Sequence, residues 1–189
     1  MKKLIGYLIP ICIAVAAILF LEPLLNQKTE RHKYDFSVST HQGIVTKENF
    51  KGKVLAIYFG YTFCPDVCPT SLGSLSQALK GLTQKQLQDF QGLFISVDPD
   101  RDTLENLESY AHYFHNNFIG ATSTKENIDD ITKRYGTFYE KIYLKDSQMN
   151  YSVSHTSYIY LFDKEGNFVK RIEHFSDPKE IYNSLVPLF

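Results

Sequence analysis

Two of the three cysteines in this 189-residue chain, Cys64 and Cys68, lie four positions apart in YFGYTFCPDVCPTSL, and a proline follows each. Thiols at such a spacing serve three kinds of chemistry: a structural disulfide, a dithiol redox couple or a metal site. The apolar run KVLAIYFGY before them predicts a buried strand over residues 53–61. Leucines at helical spacing follow, so we expect the cysteines where a strand ends and a helix begins.

The start of a helix changes the chemistry of a thiol. Unpaired backbone N–H groups and the helix dipole favour negative charge there, so a cysteine ionises more readily. Because the thiolate is both the redox nucleophile and the metal ligand, this position serves both chemistries. The spacing of the two cysteines distinguishes redox chemistry from metal binding only in part. A thioredoxin-type redox motif has two residues between its cysteines, whereas this chain has three, and a disulfide is still within reach.

The elements around the cysteine pair predict an α/β fold. A hairpin is predicted over YDFSVSTHQGIVT and a second buried strand over LFISVD, followed by a helix in which Asp102 and Glu105 have capping-box spacing. The segment TKENIDDITKRYG predicts a helix that ends at Gly136, and TSYIYLFDKEGNFVKRI predicts two strands joined by a turn. A last helix begins at Ser176 or Asp177. This order of elements is that of thioredoxin-like folds.

Six histidines are candidates for a third ligand. Five are expected to be exposed, in a tether, in a turn, on the polar face of a helix or after the last strand: His32, His41, His112, His115 and His174. His155 directly precedes a β-run, and a thioredoxin-like fold brings that loop beside the start of the cysteine-bearing helix. Considered by itself, His155 would be interpreted as an ordinary loop histidine. The two cysteines expected opposite it favour the interpretation that it is a metal ligand.

Two thiolates and one imidazole suit copper, because thiolate favours Cu(I) and imidazole also accommodates Cu(II). Zinc accepts the same donors, but a structural zinc site normally closes with four protein ligands, and only three are evident. Asp66 lies between the cysteines and offers an oxygen. We expect it to hydrogen-bond the turn rather than to bind the metal. The predicted metal ligands are therefore Cys64, Cys68 and His155.

Three segments, GKVLAIYFGYTFCPDVCPTSL, SVDPDRDT and VSHTSYIYLFDKEG, resemble in order and spacing the Sco/SenC family of copper-binding, thioredoxin-like proteins. The resemblance runs from about Tyr34 to the C-terminus. It implies that Cys64, Cys68 and His155 bind copper, and that the protein helps to mature the CuA centre of cytochrome c oxidase. Its implied partners are the oxidase subunit that carries CuA and an upstream copper donor or thiol reductant.

Two features qualify what the resemblance implies. Many members have an aspartate directly before the histidine, whereas this chain has Ser154. The missing carboxylate would orient the imidazole or support Cu(II), so Cu(II) binding is where we expect a difference. The segment DPDRDT is interpreted structurally, with a turn at Pro99 and Asp100 and a helix cap at Asp102, and a functional role for Arg101 is the alternative.

The N-terminal segment predicts a membrane anchor. The run from Leu4 to Leu21 carries no charge, and as a helix it rises about 27 Å, close to the roughly 30 Å hydrocarbon core. No small-x-small cleavage site follows it, which favours an uncleaved anchor over a signal peptide. We predict a single-pass anchor over residues 1–25, a tether over 26–33 and a thioredoxin-like domain over 34–189, facing the periplasm from the bacterial inner membrane.

The composition narrows the function. A net charge of −1 gives no basic surface for nucleic acid, and 43% hydrophobic residues suffice for one domain with a real core. The leading hypothesis is a copper metallochaperone. The alternative is a thiol–disulfide oxidoreductase that keeps the copper-ligand cysteines of the oxidase reduced, with one thiol attacking and the other resolving. His155 discriminates between the two, because thiol exchange needs no imidazole. A purely structural disulfide would leave His155 unexplained.

Overall fold

The computed structural model describes residues 32–145, 149–174 and 176–189. The strands in these ranges are β1 (Ser37–Thr40), β2 (Gly43–Thr46), β3 (Val54–Gly60), β4 (Phe90–Ser96), β5 (Phe118–Thr122), β6 (Tyr139–Tyr143), β7 (Tyr151–His155), β8 (Tyr158–Phe162) and β9 (Phe168–Glu173). The α-helices are α1 (Val67–Leu79), α2 (Gln84–Gln88), α3 (Leu104–Phe114), α4 (Lys125–Tyr135) and α5 (Pro178–Leu185), with short 3-10 turns at Lys47–Phe50 and Val186–Leu188.

The main sheet of the described residues has the strand order β2-β1-β5-β4-β3-β8-β9. The strands β3, β4 and β5 are parallel, while β1 and β8 pair antiparallel with the two edges of this parallel core. Every residue of β3 is buried, as the continuous apolar run predicts. Helix α1 packs against α5, and α3 packs on β5. The predicted α/β architecture is confirmed.

Most of the helix ends predicted from the sequence are confirmed. Helix α4 ends at Gly136, whose φ of +67° is the left-handed conformation that glycine adopts without strain. Helix α5 begins at Pro178, and the side chain of Asp177 accepts a hydrogen bond from the backbone N–H of Lys179. Helix α1 starts one residue before Cys68, with Asp66 at its N-cap position. The junction of β3 and α1 is thus where the sequence predicts it.

One predicted cap is wrong. Thr103, not Asp102, is the N-cap of α3, and its side chain accepts a hydrogen bond from the backbone N–H of Asn106. The carboxylate of Asp102 is buried and is already engaged by Thr62 and Ser96. The side chain of Asp102 therefore binds Thr62 and Ser96 instead of capping the helix, as the local pattern predicts.

Two features are absent from the sequence-based predictions. Strand β5 extends the parallel core between β4 and β1. Strands β6 and β7 form a separate two-stranded antiparallel sheet with Tyr139 opposite His155. His155 is consequently the last residue of a strand rather than part of a loop, and the hairpin 139–155 carries it.

The predicted anchor, residues 1–25, and residues 26–31 of the predicted tether lie outside the described residues. Within the described ranges, no helix has the length and apolar character that crossing a bilayer requires. Residues Tyr34–Phe189 form one compact unit, and it contains all three predicted metal ligands.

Candidate metal centre

The two cysteines lie on a turn that leads from β3 into α1. The backbone N–H of Cys64 donates to the carbonyl of Tyr61 (3.2 Å), which closes this turn. Cys68 belongs to the first turn of α1 and is fully buried, whereas Cys64 is half-buried. Both are free thiols in this structure. The predicted location at a helix start is confirmed.

Gly60 makes room for the buried sulfur. A Cβ atom at this position would lie 2.8 Å from Cys68 Sγ and 2.8 Å from the ring of Phe94. Real Cβ contacts of that length do not occur without a shift of the neighbour, and the Phe94 ring is itself buried. The last residue of β3 therefore has to be small for Cys68 to pack where it does.

His155 faces Cys68 through one ring nitrogen and the backbone through the other. Its Nε2 lies 3.2 Å from Cys68 Sγ, and its Nδ1 lies 3.2 Å from the carbonyl oxygen of Thr156. A carbonyl only accepts, so this contact places the ring proton on Nδ1. Nε2 then directs its lone pair toward the sulfur, which is the tautomer that a metal ligand requires.

Two tyrosines fix the plane of this imidazole. The rings of Tyr58 and Tyr61 meet the His155 ring edge-on, with centroid distances of 6.2 Å and 5.9 Å. Both tyrosines are almost fully buried and belong to β3 or the residue after it. Burial, with the nearby Cys68 sulfur, raises the pKa of Tyr58, so its phenol stays protonated beside the site.

The two thiols differ in acidity. A hydrogen bond from the Cys68 side chain holds the pKa of Cys64 far below that of a free thiol, although partial burial opposes it. The backbone N–H of Cys68 also donates to Cys64 Sγ (3.4 Å). Burial raises the pKa of Cys68 well above its usual value, and the neighbouring Cys64 sulfur raises it further. At neutral pH the pair therefore carries one thiolate, on Cys64.

The structure brings the three predicted site residues together. One ligand atom from each of Cys64, Cys68 and His155 lies within 4.8 Å of the other two. Asp66 is not part of this group and accepts a hydrogen bond from the Thr70 hydroxyl, as expected for a residue that supports the turn. Two soft sulfur donors and one imidazole fit Cu(I), and they leave a structural zinc site one ligand short.

A family model described as SCO1/SenC matches residues 25–188 of the chain. The chain belongs to the SCO1/SenC family. A SCO2-like protein of Rickettsia conorii is 37% identical over 152 residues, which cover 80% of this chain and 74% of that protein.

Two solved structures show the same thioredoxin-like fold. Arabidopsis thaliana ScoI with copper bound aligns with a TM-score of 0.74 and 36% identity, over 81% of this chain and 94% of that one. Bradyrhizobium japonicum ScoI with copper bound gives a TM-score of 0.72 and 35% identity, over 82% and 98%. The thioredoxin-like part of the predicted fold of this SCO1/SenC family member is therefore confirmed, whereas the predicted N-terminal transmembrane helix lies outside the described residues.

Ser154 does not point at the imidazole. Successive side chains on a strand point to opposite faces, and Val153 is buried while Ser154 is exposed and lies opposite Glu140. His155 is half-buried on the face of Val153. A carboxylate at position 154 would therefore face Glu140 and solvent, so the structure gives no direct route from this residue to the orientation of His155.

Three of the other histidines, His41, His112 and His115, do not belong to the group that contains the cysteine pair. His41 is exposed and approaches Glu108, and His112 is exposed on α3. His115 departs from the prediction of full exposure: it is half-buried, and its Nδ1 accepts a hydrogen bond from the backbone N–H of Asn117. Burial lowers the pKa of His115, so it is neutral at physiological pH.

Sequence reasoning missed the role of Asp102. Its buried carboxylate accepts hydrogen bonds from the backbone N–H (3.0 Å) and the hydroxyl (2.5 Å) of Thr62, two residues before Cys64. The hydroxyl of Ser96, at the end of β4, also donates to it (2.5 Å). Asp102 therefore fixes the start of the cysteine turn against the end of the neighbouring strand. No local pattern signals the contact with the cysteine turn, because Thr62 and Asp102 are 40 residues apart.

Proposed function

We propose that this chain is a membrane-anchored copper metallochaperone that holds copper through Cys64, Cys68 and His155 and delivers it to the CuA centre of cytochrome c oxidase. The observation that carries the proposal is the convergence of two sulfurs and one imidazole nitrogen within 4.8 Å. Relatives solved with copper bound, at 35–36% identity, support it. Copper would be the cargo, and these three side chains would be its ligands.

The donor set favours Cu(I) as the cargo. Thiolate is a soft ligand, and metal binding requires that both thiols lose their protons. Cys64 is already the more acidic thiol of the pair, so binding releases the proton of Cys68. His155 needs to lose none, because its Nε2 carries a free lone pair.

Exposure of the ligands supports handover by ligand exchange. Cys64 and His155 are half-buried, whereas Cys68 is fully buried behind Gly60. An acceptor's thiol or imidazole can therefore replace Cys64 or His155 first, and Cys68 is the last ligand to leave. The expected acceptor is the oxidase subunit that carries CuA, and the expected supplier is an upstream copper donor.

A specific observation also favours the second candidate, a thiol–disulfide oxidoreductase. Cys64 is accessible and has a low pKa, and Cys68 is buried next to it, as in an attacking and resolving pair. The Cys64 thiolate would attack a target disulfide and release one target thiolate. Cys68 would then attack Cys64 Sγ in the mixed disulfide and lose its proton to the departing target sulfur, which frees the second target thiol and leaves Cys64 and Cys68 joined by a disulfide. The target gains the two electrons that this pair loses.

The remaining part of the proposal concerns location. The uncharged run from Leu4 to Leu21 supports an inner-membrane anchor over residues 1–25, and residues 26–33 would be the tether. The domain over 34–189 would face the periplasm, where the oxidase exposes CuA.

The decisive experiment replaces His155. We expect His155→Ala to weaken Cu(I) binding to the reduced full chain, purified in detergent, by roughly tenfold or more. Loss of a residue that only supports a metal ligand already lowers metal affinity by about tenfold. Disulfide formation between Cys64 and Cys68 should not change. His112→Ala, at an exposed histidine of α3, is the matched control. If His155→Ala binds copper as tightly as the parent while cysteine variants lose thiol exchange, the oxidoreductase replaces the metallochaperone.

A further inference from the structure

The hairpin that carries His155 needs support from outside itself. Within the described part of the chain, its strands, β6 and β7, pair only with each other and form a sheet separate from the main one. A lone two-stranded hairpin is at best marginally stable in water. The position of His155, 3.2 Å from Cys68 Sγ, therefore depends on whatever ties this hairpin to the domain.

Arg101 makes the central tie. Its Nη1 donates to the backbone carbonyls of Tyr151 (2.9 Å) and Met149 (3.3 Å), and its guanidinium lies 3.7 Å from the centroid of the Tyr151 ring. Its Nε donates to Asp98 Oδ2 (2.5 Å), a carboxylate that is fully buried. The arginine thus joins the loop after β4 to the strand that ends in His155.

Further contacts of the same group reach both strands of the hairpin. The hydroxyl of Tyr151, on β7, donates to Asp98 Oδ1 (2.8 Å). Lys141, on β6, lies 3.7 Å from the same carboxylate oxygen and pairs with Asp100. Its ammonium also lies 4.5 Å from the centroid of the Tyr151 ring. The side chain of Asp98 is therefore the shared acceptor, and Arg101 is its closest cation.

The guanidinium of Arg101 also contacts the cysteine side of the site. It lies 4.9 Å from the ring centroid of Phe63 and 5.7 Å from that of Tyr61. Phe63 is the residue before Cys64, and Tyr61 meets the His155 ring edge-on. Cation–π contacts of this kind are strongest where water is excluded, and Arg101 is only 16% exposed.

We infer that Arg101 is a positioning residue: its planar guanidinium, clamped by Asp98, holds the His155 hairpin against the cysteine turn and so fixes the imidazole at bonding distance from the sulfurs. The inference rests on the proposed copper site. It gives Arg101 a specific functional role, which the sequence analysis left as the alternative to a purely structural interpretation of DPDRDT. Lysine cannot replace this arginine, because an ammonium has neither the planar fork that reaches a carboxylate and carbonyls together nor the flat face that stacks on tyrosine.

The test uses Arg101→Lys, which keeps the charge beside Asp98, and Arg101→Ala. We expect Arg101→Lys to weaken copper binding by the full chain in detergent about tenfold. In the metal-free chain we expect faster amide hydrogen exchange over 139–155 than in the parent, with exchange in β3 unchanged. Arg134→Lys is the matched control, since Arg134 also joins a carboxylate to a backbone carbonyl, but its partners, Asp130 and Asp35, lie outside the hairpin.

A double-mutant cycle separates positioning from general destabilisation. If Arg101 acts through the imidazole, Arg101→Lys should weaken copper binding in the parent and cause no further loss in the His155→Ala background. The nitrogen hyperfine coupling in the Cu(II) electron paramagnetic resonance spectrum should become weak or heterogeneous in Arg101→Lys. Thiol exchange at Cys64 should keep its parental rate.

The outcomes distinguish this inference from the proposed function. If His155→Ala weakens copper binding but Arg101→Lys and Arg101→Ala do not, the positioning role is wrong and the copper site stands. Additive losses in the cycle, with equal hydrogen exchange in Arg101→Lys and parent, also overturn it. If His155→Ala itself leaves copper binding intact, the proposed site fails first. Should Arg101→Ala not fold, Arg101→Lys alone decides.

Discussion

At the scale of single residues, the two thiols of the site have different surroundings and therefore different tasks. Cys64 is half-exposed and is stabilised as a thiolate by hydrogen bonds from its neighbours. Cys68 is buried in the core beside Gly60 and keeps its proton. Cys64 is consequently the first sulfur that an incoming metal or disulfide meets, under either proposed function.

This difference predicts the pH dependence of alkylation. Because the pKa of Cys64 is lowered, its thiolate persists as the pH falls. Iodoacetamide should therefore still modify Cys64 at a pH well below 8.5, which is about the pKa of a free thiol. Cys68 should react slowly over the same range, because burial raises its pKa. Peptide-level mass spectrometry measures both rates and separates them from Cys12.

Removing the partner thiol provides the control. Cys68→Ala deletes the side chain that contributes most to the lowered pKa of Cys64, so alkylation of Cys64 should move to higher pH. Identical rate profiles for Cys64 in the parent and in Cys68→Ala would show that the partner thiol does not set its acidity.

At the scale of elements, the sequence predicts the strands and helices whose buried residues form a continuous or periodic apolar pattern. The run VLAIYFG gives β3, and leucines at helical spacing give α1, so the cysteine turn is located from local information. The hairpin of β6 and β7 is missed because its strands are half-exposed and polar, and neither contains an apolar run. Its stability comes from distant groups such as Asp98 and Arg101, which no local pattern reveals.

The close approach of β3 and α1 predicts an effect of enlarging Gly60. Gly60→Ala would place a methyl group 2.8 Å from Cys68 Sγ and from the Phe94 ring. We expect a loss of about 1–3 kcal/mol in the free energy of unfolding, the usual cost of overpacking a core. Displacement of the sulfur should also weaken copper binding. Thermal unfolding and copper titration of the full chain measure the two effects.

Gly73→Ala is the matched control for that experiment. Gly73 lies in the same helix as Cys68, and a Cβ atom there would meet no atom within 4 Å. A helical glycine replaced by alanine should stabilise the chain by roughly 0.5–1 kcal/mol and leave copper binding unchanged. If the two variants behave alike, the packing of Gly60 against the sulfur does not constrain the site.

At the scale of the whole molecule, the site exists only when distant parts of the chain have assembled. Cys68 and His155 are 87 residues apart, and they meet because β3 lies next to β8 in the sheet. The cysteines follow the end of β3, and His155 precedes the start of β8 by three residues. The antiparallel pairing of these strands therefore brings both segments to one edge of the sheet. This topology explains why the thioredoxin-like order of elements was enough to select His155 from six histidines.

The direction in which the chain crosses the membrane is part of the proposed function. Lys2 and Lys3 precede the apolar run, and Lys28, Arg31 and Lys33 follow it, so the positive charges nearly balance. The proposed function places the domain in the periplasm. Delivery of copper to an oxidase subunit requires that placement, so the orientation tests the function as well.

Fusions after Phe189 decide the orientation. An alkaline phosphatase fused there should be active, because its disulfides form in the oxidising periplasm, and the fusion should sediment with the membrane. Deletion of residues 1–25 should abolish that activity and release the fusion into the soluble fraction, which shows that the run from Leu4 to Leu21 both exports and anchors the domain. A cleaved signal peptide would instead give an active but soluble full-chain fusion. Activity of a fused reporter only in the cytoplasm would place Cys64, Cys68 and His155 on the side of the membrane where CuA is not assembled, and the copper-delivery role would then be wrong.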